Sequence, residues 1–457
     1  MTAGKWSPWP ADIKWSFTNE QLKYHPKAAN TSTHDLTIPV TYDIPWLFPE
    51  PQKAMLEWHT RIQCVLADLT TEGDRATAEL RTINRDSTSR RLQRLIQAIR
   101  EQKKLIEKLM APLDLNTSAP PATYRLTQSQ IAASQSLLSY FTNIFRDWCW
   151  GNEENILSRD IILKAAADIE LGKCAVLGAG SCRLPYDLFQ YGATKDMLAI
   201  DINPLLFHVA RKVMAGKKVH LYEFPQAPTN MAAFAQRQTL AAPTPVGEGF
   251  KMILADALKP PLEPGQFDTI LTPWFIDIVH EPFPHIARTI NQLLKPGGRW
   301  INFGSLVFFH SQHAICFSRE EIPELLLENG FEQNMTIEQE LPYLDSPLNC
   351  QRRLEKLLCF SATKKEERCP EPEELTQPPW LHTPELPIPI LPDFPNQILA
   401  NKLFLDIFTR IDGKKNMVCL AEEIAPVLQL SSQQSISLLQ QVLTDMYTKN
   451  LKSQKFK

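Results

Sequence analysis

The chain has 457 residues, 44% of them hydrophobic and 22% charged, a globular composition with room for two or three domains. A formal net charge of -3 argues against a general nucleic-acid binder, and with no charged segment leading into an apolar one near residue 1 and no apolar run of bilayer length, neither a secretory leader nor a membrane span is expected. The nine cysteines lack CxxC pairs and neighbouring histidines at ligand spacing, so the expectation is a cytoplasmic protein with reduced thiols, no metal, and neither nucleic acid nor membrane as partner.

Residues 1–127 read as an N-terminal irregular and helical region. Its first fifty residues are rich in Trp, Pro and Thr, end in Ile44-Pro-Trp-Leu-Phe-Pro-Glu-Pro51, and are expected to wrap a surface. Leu92, Leu95, Ile96, Ile99, Leu105, Ile106, Leu109 and Met110 keep helical spacing over 90–110. A domain over 128–364 opens with a helix at 128–150, after the capping-type Thr127-Gln-Ser-Gln130, and runs into a strand ending at Val176 and Leu177. There follow a helix at 185–191, a strand ending at Asp201, a helix at 205–214 and an irregular Pro/Ala-rich insert at 222–249. Strands at 251–255, 267–272 and 299–303 come next, with a helix at 283–294 before the last. A helix at 319–329 has Ser318 and Glu321 as a capping box and Gly330 as its stop, and 331–340 with 356–363 form an antiparallel edge pair. The alternation predicts an α/β fold: a mostly parallel Rossmann-like sheet covered on both faces, with an antiparallel hairpin at one edge. A Pro-rich linker (365–396) leads to a small helical, winged-helix-like domain (397–457) with helices at 399–408, 418–428 and 435–447. Residues 431–446 contain no Lys or Arg, so a homodimer contact or a peptide partner is favoured there over DNA.

The turn Gly178-Ala179-Gly180 after the first strand is a nucleotide cradle of a kind shared by dehydrogenases, flavoproteins and methyltransferases. The third glycine of the dinucleotide pattern is absent, and Cys182 and Arg183 are expected to crowd a pyrophosphate at the helix start. S-adenosylmethionine (SAM), which has no phosphates, suits the turn better. Asp201 is positioned to accept from the ribose hydroxyls, and Ala255-Asp256-Ala257 to meet the adenine amino group. Leu294-Lys-Pro296-Gly-Gly298-Arg-Trp is a helix-ending turn of the kind found before the fifth strand of class I methyltransferases.

Asn143-Ile-Phe-Arg146-Asp-Trp148, Val176 to Leu184, Pro273-Trp-Phe-Ile-Asp277-Ile-Val-His280, Leu294 to Gly304 and Phe308-Phe-His310 together resemble the carnosine N-methyltransferase family, over about half the chain. The resemblance implies that Arg146 binds the SAM carboxylate, with Asn143 standing where a Gln is usual. It further implies a substrate-binding Asp at Asp277 and a substrate-side histidine at His310. An imidazole nucleophile needs one unprotonated ring nitrogen, and Asp277 is the candidate acceptor for the other N–H; capping of the following helix is its alternative role. Trp274, Phe275, Phe308 and Phe309 are candidate walls of an aromatic pocket. The tyrosine cluster that the family carries before its last strand is missing from Asn349-Cys-Gln-Arg-Arg-Leu-Glu-Lys-Leu, which leaves Tyr343 as the nearest tyrosine and Arg352 and Arg353 as candidate carboxylate partners. The expected activity is methyl transfer from SAM to an imidazole nitrogen of a histidine-containing small molecule or peptide. Another acceptor, or a non-catalytic SAM-binding regulatory role, are the alternatives.

Overall fold

A computed structural model describes residues 13–17, 22–26, 38–48, 51–113, 140–167, 169–279, 281–308, 313–370, 380, 383–389, 410–428 and 431–454. The described residues fall into two compact units, one drawn from Met1–Leu115 and Ser139–Glu371, the other from Asn116–Leu138 and Pro372–Lys457.

In the larger unit, β1 (Ile13–Phe17) pairs antiparallel with β2 (Leu22–Pro26), and β3 (Val40–Thr41) with β4 (Ile44–Pro45). Two long helices follow, α1 (Pro51–Leu80) and α2 (Asp86–Met110), which pack through Ala76, Leu92 and Ile96. The helix α3 (Tyr140–Phe145) widens into a single π turn over Arg146–Trp150, closed by Gly151 N donating to Arg146 O at 2.9 Å. After α4 (Asn152–Ala165) come β5 (Lys173–Leu177), α5 (Arg183–Gln190), β6 (Asp196–Asp201) and α6 (Pro204–Met214). Where an irregular insert is expected, the chain forms a hairpin of β7 (Val219–Glu223) and β8 (Gln236–Leu240), antiparallel in register Val219 to Leu240. Its alternation is hidden because one inward side chain is the charged Glu223, only 6% exposed.

The sheet is completed by β9 (Phe250–Leu254), β10 (Phe267–Pro273), β11 (Leu294–Gly304), β12 (Phe331–Pro342) and β13 (Leu354–Lys364), with α7 (Phe283–Leu293) and α8 (Ile322–Glu328) between them. Its order is β12-β13-β11-β10-β5-β6-β9. The pairs from β11 to β9 are parallel, and β13 runs antiparallel to both β11 and β12. The order reverses at β5, so the crevice beyond the carboxyl ends of β5 and β10 is where an open α/β sheet takes its ligands. Strands β5 and β6 are buried along nearly their whole length, as both-face coverage requires. The Pro296-Gly-Gly298 turn lies inside β11 as an irregularity: Leu294 already pairs with Phe267 before the ladder resumes at Arg299. Both bonds of the Ser318–Glu321 capping box are present, on a 3-10 turn that leads into α8.

Residues 38–48 strap the far edge of the sheet. Trp46 bridges Leu254 in parallel, Leu47 N donates to Leu254 O at 2.7 Å, and Thr41 Oγ1 bonds His208 Nε2 of α6 at 2.8 Å.

The smaller unit contains α9 (Met417–Leu428) and α10 (Ser432–Gln454), packed through Leu420, Ile424, Leu439 and Leu443. Asn416 bridges Pro387 in antiparallel fashion, and Ser431 caps α10 through a reciprocal pair of bonds with Gln434. The expected helix at 399–408 lies outside the described residues, as do 128–139 of the helix expected before the sheet. No helix among the described residues is long and apolar enough to cross a membrane.

Candidate active site

At the end of β5 the backbone must reverse within a few residues, and it does so through left-handed angles at Gly178 (φ 69°) and Gly180 (φ 58°). The two glycines face different surroundings. A Cβ on Gly178 would stand 2.5 Å from the Phe275 ring, whereas one on Gly180 would meet nothing within 4 Å. Gly178 is thus a packing position and Gly180 borders open space, a cradle that a side chain would fill. Cys182 and Arg183 do not enter that cradle, contrary to the expectation above. Cys182 is fully buried, and Arg183 turns inward to Asp187, to Asp147 O at 2.7 Å and to Asn152 Oδ1 at 2.5 Å.

Asp201, at the end of β6, accepts from Gly180 N and from Asn203 N, each at 2.8 Å, and lone pairs remain on both oxygens. Burial pushes its carboxyl up to about 6, against the pull of those amides. Beside it Ile202 is 45% exposed, an apolar surface next to a polar one. Tyr140 is held above the ordinary phenol range by burial and then by the charge of Asp201, while Arg61 of α1 works in the opposite direction. Asp256 Oδ1 takes Leu258 N at 2.9 Å in the turn after β9, and Ala257 is buried beside it.

The π turn is stapled to the glycine turn. Ser181 Oγ donates to Asp147 Oδ2 at 2.5 Å, and Trp148 Nε1 donates to Ser181 O at 2.8 Å. This places Arg146 beside the cradle, with Asn143 one turn back on α3. Arg146 Nε donates to Asp147 Oδ1 at 2.6 Å and Nη1 to Glu154 Oε1 at 3.3 Å. Burial works against its charge, but the two carboxylates outweigh it and hold the guanidinium above the ordinary arginine range. Glu154, raised by burial, also takes Leu344 N on Oε2 at 3.0 Å, so this helix ties the cradle to the loop between β12 and β13.

That loop brings Tyr343 against Trp274, with ring centroids 4.3 Å apart, while the Arg353 and Arg146 guanidinium carbons lie 4.9 and 5.9 Å from the tyrosine ring. Trp274 adopts φ 50°, a conformation uncommon for a bulky residue, and its N–H donates to Phe303 O at 2.6 Å. Asp277 follows in the same turn and accepts from Ser305 Oγ at 3.1 Å. Burial raises its pKa, and Ser305 opposes the rise. It does not cap the next helix, since the residue before α7 is Pro282. Phe275 is 5% exposed and belongs to the core cluster under the glycine turn. Arg352 forms a two-pronged pair with Asp345, and Arg353 pairs with Glu355. His310, with Phe309 and His280, lies outside the described residues.

Asp201, Gly180, Arg146, Tyr343, Trp274 and Asp277 therefore line one edge of one sheet. Sequence reading passes over Ser181, Glu154 and Ser305, which hold them there. Ser181 was the accessible one, since it directly follows Gly180; Glu154 lies in a helix with weak apolar periodicity.

The family model for carnosine N-methyltransferase matches residues 124–366. The chain belongs to the carnosine N-methyltransferase family. Among relatives, the carnosine N-methyltransferase of Rattus norvegicus is 37% identical over 92 residues, 19% of this chain and 23% of that protein. That of Dictyostelium discoideum is 35% identical over 85 residues, 18% of each chain. The chain thus spans about a quarter or less of the length of these curated relatives. Similar solved structures include the 1,6-didemethyltoxoflavin-N1-methyltransferase of Burkholderia thailandensis with bound S-adenosylhomocysteine (17% identity, 55% of this chain and 94% of that one, TM-score 0.30). Another is the N-methyltransferase NodS of Bradyrhizobium japonicum (11% identity, 47% and 97%, TM-score 0.31). In the carnosine N-methyltransferase family, the matched span covers every residue placed at this site, but not α1 and its Arg61.

Proposed function

We propose that the chain is a SAM-dependent N-methyltransferase that modifies an imidazole nitrogen of a histidine-containing small molecule or peptide. The observation that carries the reading is Asp277, a carboxylate largely withdrawn from water at the carboxyl end of β10, steadied by Ser305 and next to the Trp274 and Tyr343 rings, which pack at a tilt of 44°.

The residues fit the cofactor. Asp201 would take the ribose hydroxyls, the open face at Gly180 would lie along its amino-acid moiety, and Arg146 keeps guanidinium donors for its carboxylate. Ile202 offers an apolar face to adenine, with Asp256 and Ala257 at the adenine edge. When bound, SAM supplies a sulfonium-activated methyl group. The protein's part is to deliver a ring nitrogen with a free lone pair. Asp277 accepting the far ring N–H selects that tautomer and turns the ring, and the cationic character that develops on methylation is balanced by the same carboxylate. The Trp274–Tyr343 wall excludes water and limits the poses of a flat ring. His310 is retained with Asp277 as the second substrate-side candidate, and Phe275 supports the site from beneath.

The test is turnover of labelled SAM on carnosine and other histidine dipeptides, with mass spectrometry of the product. Wild type is expected to methylate the ring, and Asp277→Asn to lose at least about a hundred-fold in kcat/KM while binding S-adenosylhomocysteine as before. Cofactor binding without turnover on any imidazole would select the regulatory reading, and turnover on a different nucleophile a different acceptor.

A further inference from the structure

The buried carboxylate of Glu223, in the hairpin that sequence reading leaves irregular, takes no part in the chemistry above. It is 6% exposed and collects three donors: Ser346 Oγ on Oε1 at 2.5 Å, and Trp150 Nε1 at 3.2 Å with Gln238 Nε2 at 2.7 Å on Oε2. The donors come from three places. Ser346 lies three residues beyond Tyr343 in the loop between β12 and β13, Trp150 ends the π turn that carries Arg146, and Gln238 belongs to the hairpin itself.

The hairpin is a firm base for such a node. Tyr222 N donates to Gln102 of α2 at 2.7 Å and Tyr222 OH to Glu101 at 2.5 Å, while Arg94 Nε reaches Ala235 O at 3.2 Å. The loop also clamps the hairpin directly: Cys350 N donates to Ala227 O at 2.7 Å, Thr229 N to Leu348 O at 3.0 Å, and Ala227 N to Asn349 Oδ1 at 3.0 Å. The loop that presents Tyr343 and Arg353 is thus built onto the hairpin and, through it, onto α2.

We infer that Glu223 is a two-armed positioning residue, setting the acceptor-side loop through Ser346 and the cofactor-side π turn through Trp150. A carboxylate satisfies three donors with no donor of its own, which a neutral amide cannot do. The roles given to the two arms rest on the function proposed above; the mechanical link does not.

The full chain is compared with Glu223→Gln, Ser346→Ala, Trp150→Phe and the double variant Glu223→Gln/Ser346→Ala. Hydrogen–deuterium exchange and calorimetry with S-adenosylhomocysteine are measured on each. Ser346→Ala is expected to speed exchange in 343–353 about ten-fold, leaving strand 173–177 and S-adenosylhomocysteine affinity unchanged. Trp150→Phe is expected to weaken S-adenosylhomocysteine several-fold and leave 343–353 protected, and Glu223→Gln to do both, with the double variant no worse than Glu223→Gln. With carnosine as acceptor, Ser346→Ala is expected to raise KM more than it lowers kcat, a split that general loss of folded protein does not produce. Unchanged exchange in 343–353 in both Glu223→Gln and Ser346→Ala overturns the inference, as does a rise shared equally by the sheet. Failure of the wild type to methylate any histidine dipeptide would instead defeat the proposed function, with the exchange data still deciding the link.

Discussion

Alanine at Gly178 and alanine at Gly180 are expected to fail in different ways. At 178 the new Cβ collides with Phe275 and holds a left-handed angle, so stability should drop by a few kcal/mol and cofactor binding with it. At 180 nothing stands in the way, and the cost to the fold is strain of about 1 kcal/mol; the loss should appear in S-adenosylhomocysteine affinity, read by calorimetry beside thermal unfolding. Asp201 adds a pH signature. Its carboxyl is raised to about 6, and in the role proposed for it, accepting ribose hydroxyls, the ionised form is the better acceptor. S-adenosylhomocysteine affinity should therefore be full above that value and weaken as pH falls through it, and Asp201→Asn should flatten the curve at the lower level. Asp201 and Asp277 are both legible as residue types at strand ends; their raised pKa values are not, because burial is made by elements distant in sequence.

At the scale of elements, the strap at 38–48 is held by a titratable group. His208 is buried, bonded to Thr41 and edge-on to Tyr42 at 4.7 Å, and burial pushes its pKa from 6.5 down to about 3. The unfolded chain binds that proton more readily, so this group's contribution to stability is complete above about 6.5. It is lost as pH falls from there toward 3, at up to ~1.4 kcal/mol per pH unit. Urea midpoints measured across this window should fall with pH in the wild type and less steeply in His208→Gln. At α8, Ser318→Ala removes one arm of the capping box and is expected to cost about 1 kcal/mol, visible as a small drop in melting temperature. That box was readable from two residues at fixed spacing. Helix α1 was passed over in the sequence reading, although Trp58, Ile62, Val65 and Leu69 repeat at helical intervals and are buried. The hairpin was not, because strand patterns announce themselves by apolar alternation and β7 buries Glu223. The π turn was hidden for another reason: Asp147 in it is held by Ser181 and Arg183, contacts between segments some thirty residues apart.

Across the molecule, the succession of sheet strands along the chain and the glycine turn were legible because both depend on local rules: apolar runs for buried parallel strands and left-handed angles for the reversal. The loop that completes the acceptor side was not. Its place depends on Glu154, Glu223 and α2, which are spread over more than a hundred residues of sequence. All site residues placed by the structure belong to the unit ending at Glu371. A chain ended there is expected to bind S-adenosylhomocysteine with the affinity of the full chain, measured by calorimetry; a large loss would assign the remaining residues a part in cofactor binding.

The contact of Phe275 with Gly178 restricts how this site can be altered. The turn that carries Asp277 leans on the glycine turn, so under the proposed function a substitution that moves the Phe275 ring would disturb both the acceptor and the methyl-donor side. The loop at 343–353 has its main anchorage on the hairpin, with Glu154 of α4 and the Tyr343 ring as its ties toward Arg146 and Trp274. Divergence toward new acceptors, natural or engineered, has its open route through that loop, whereas the segment from Trp274 to Asp277 is held still by what lies beneath it.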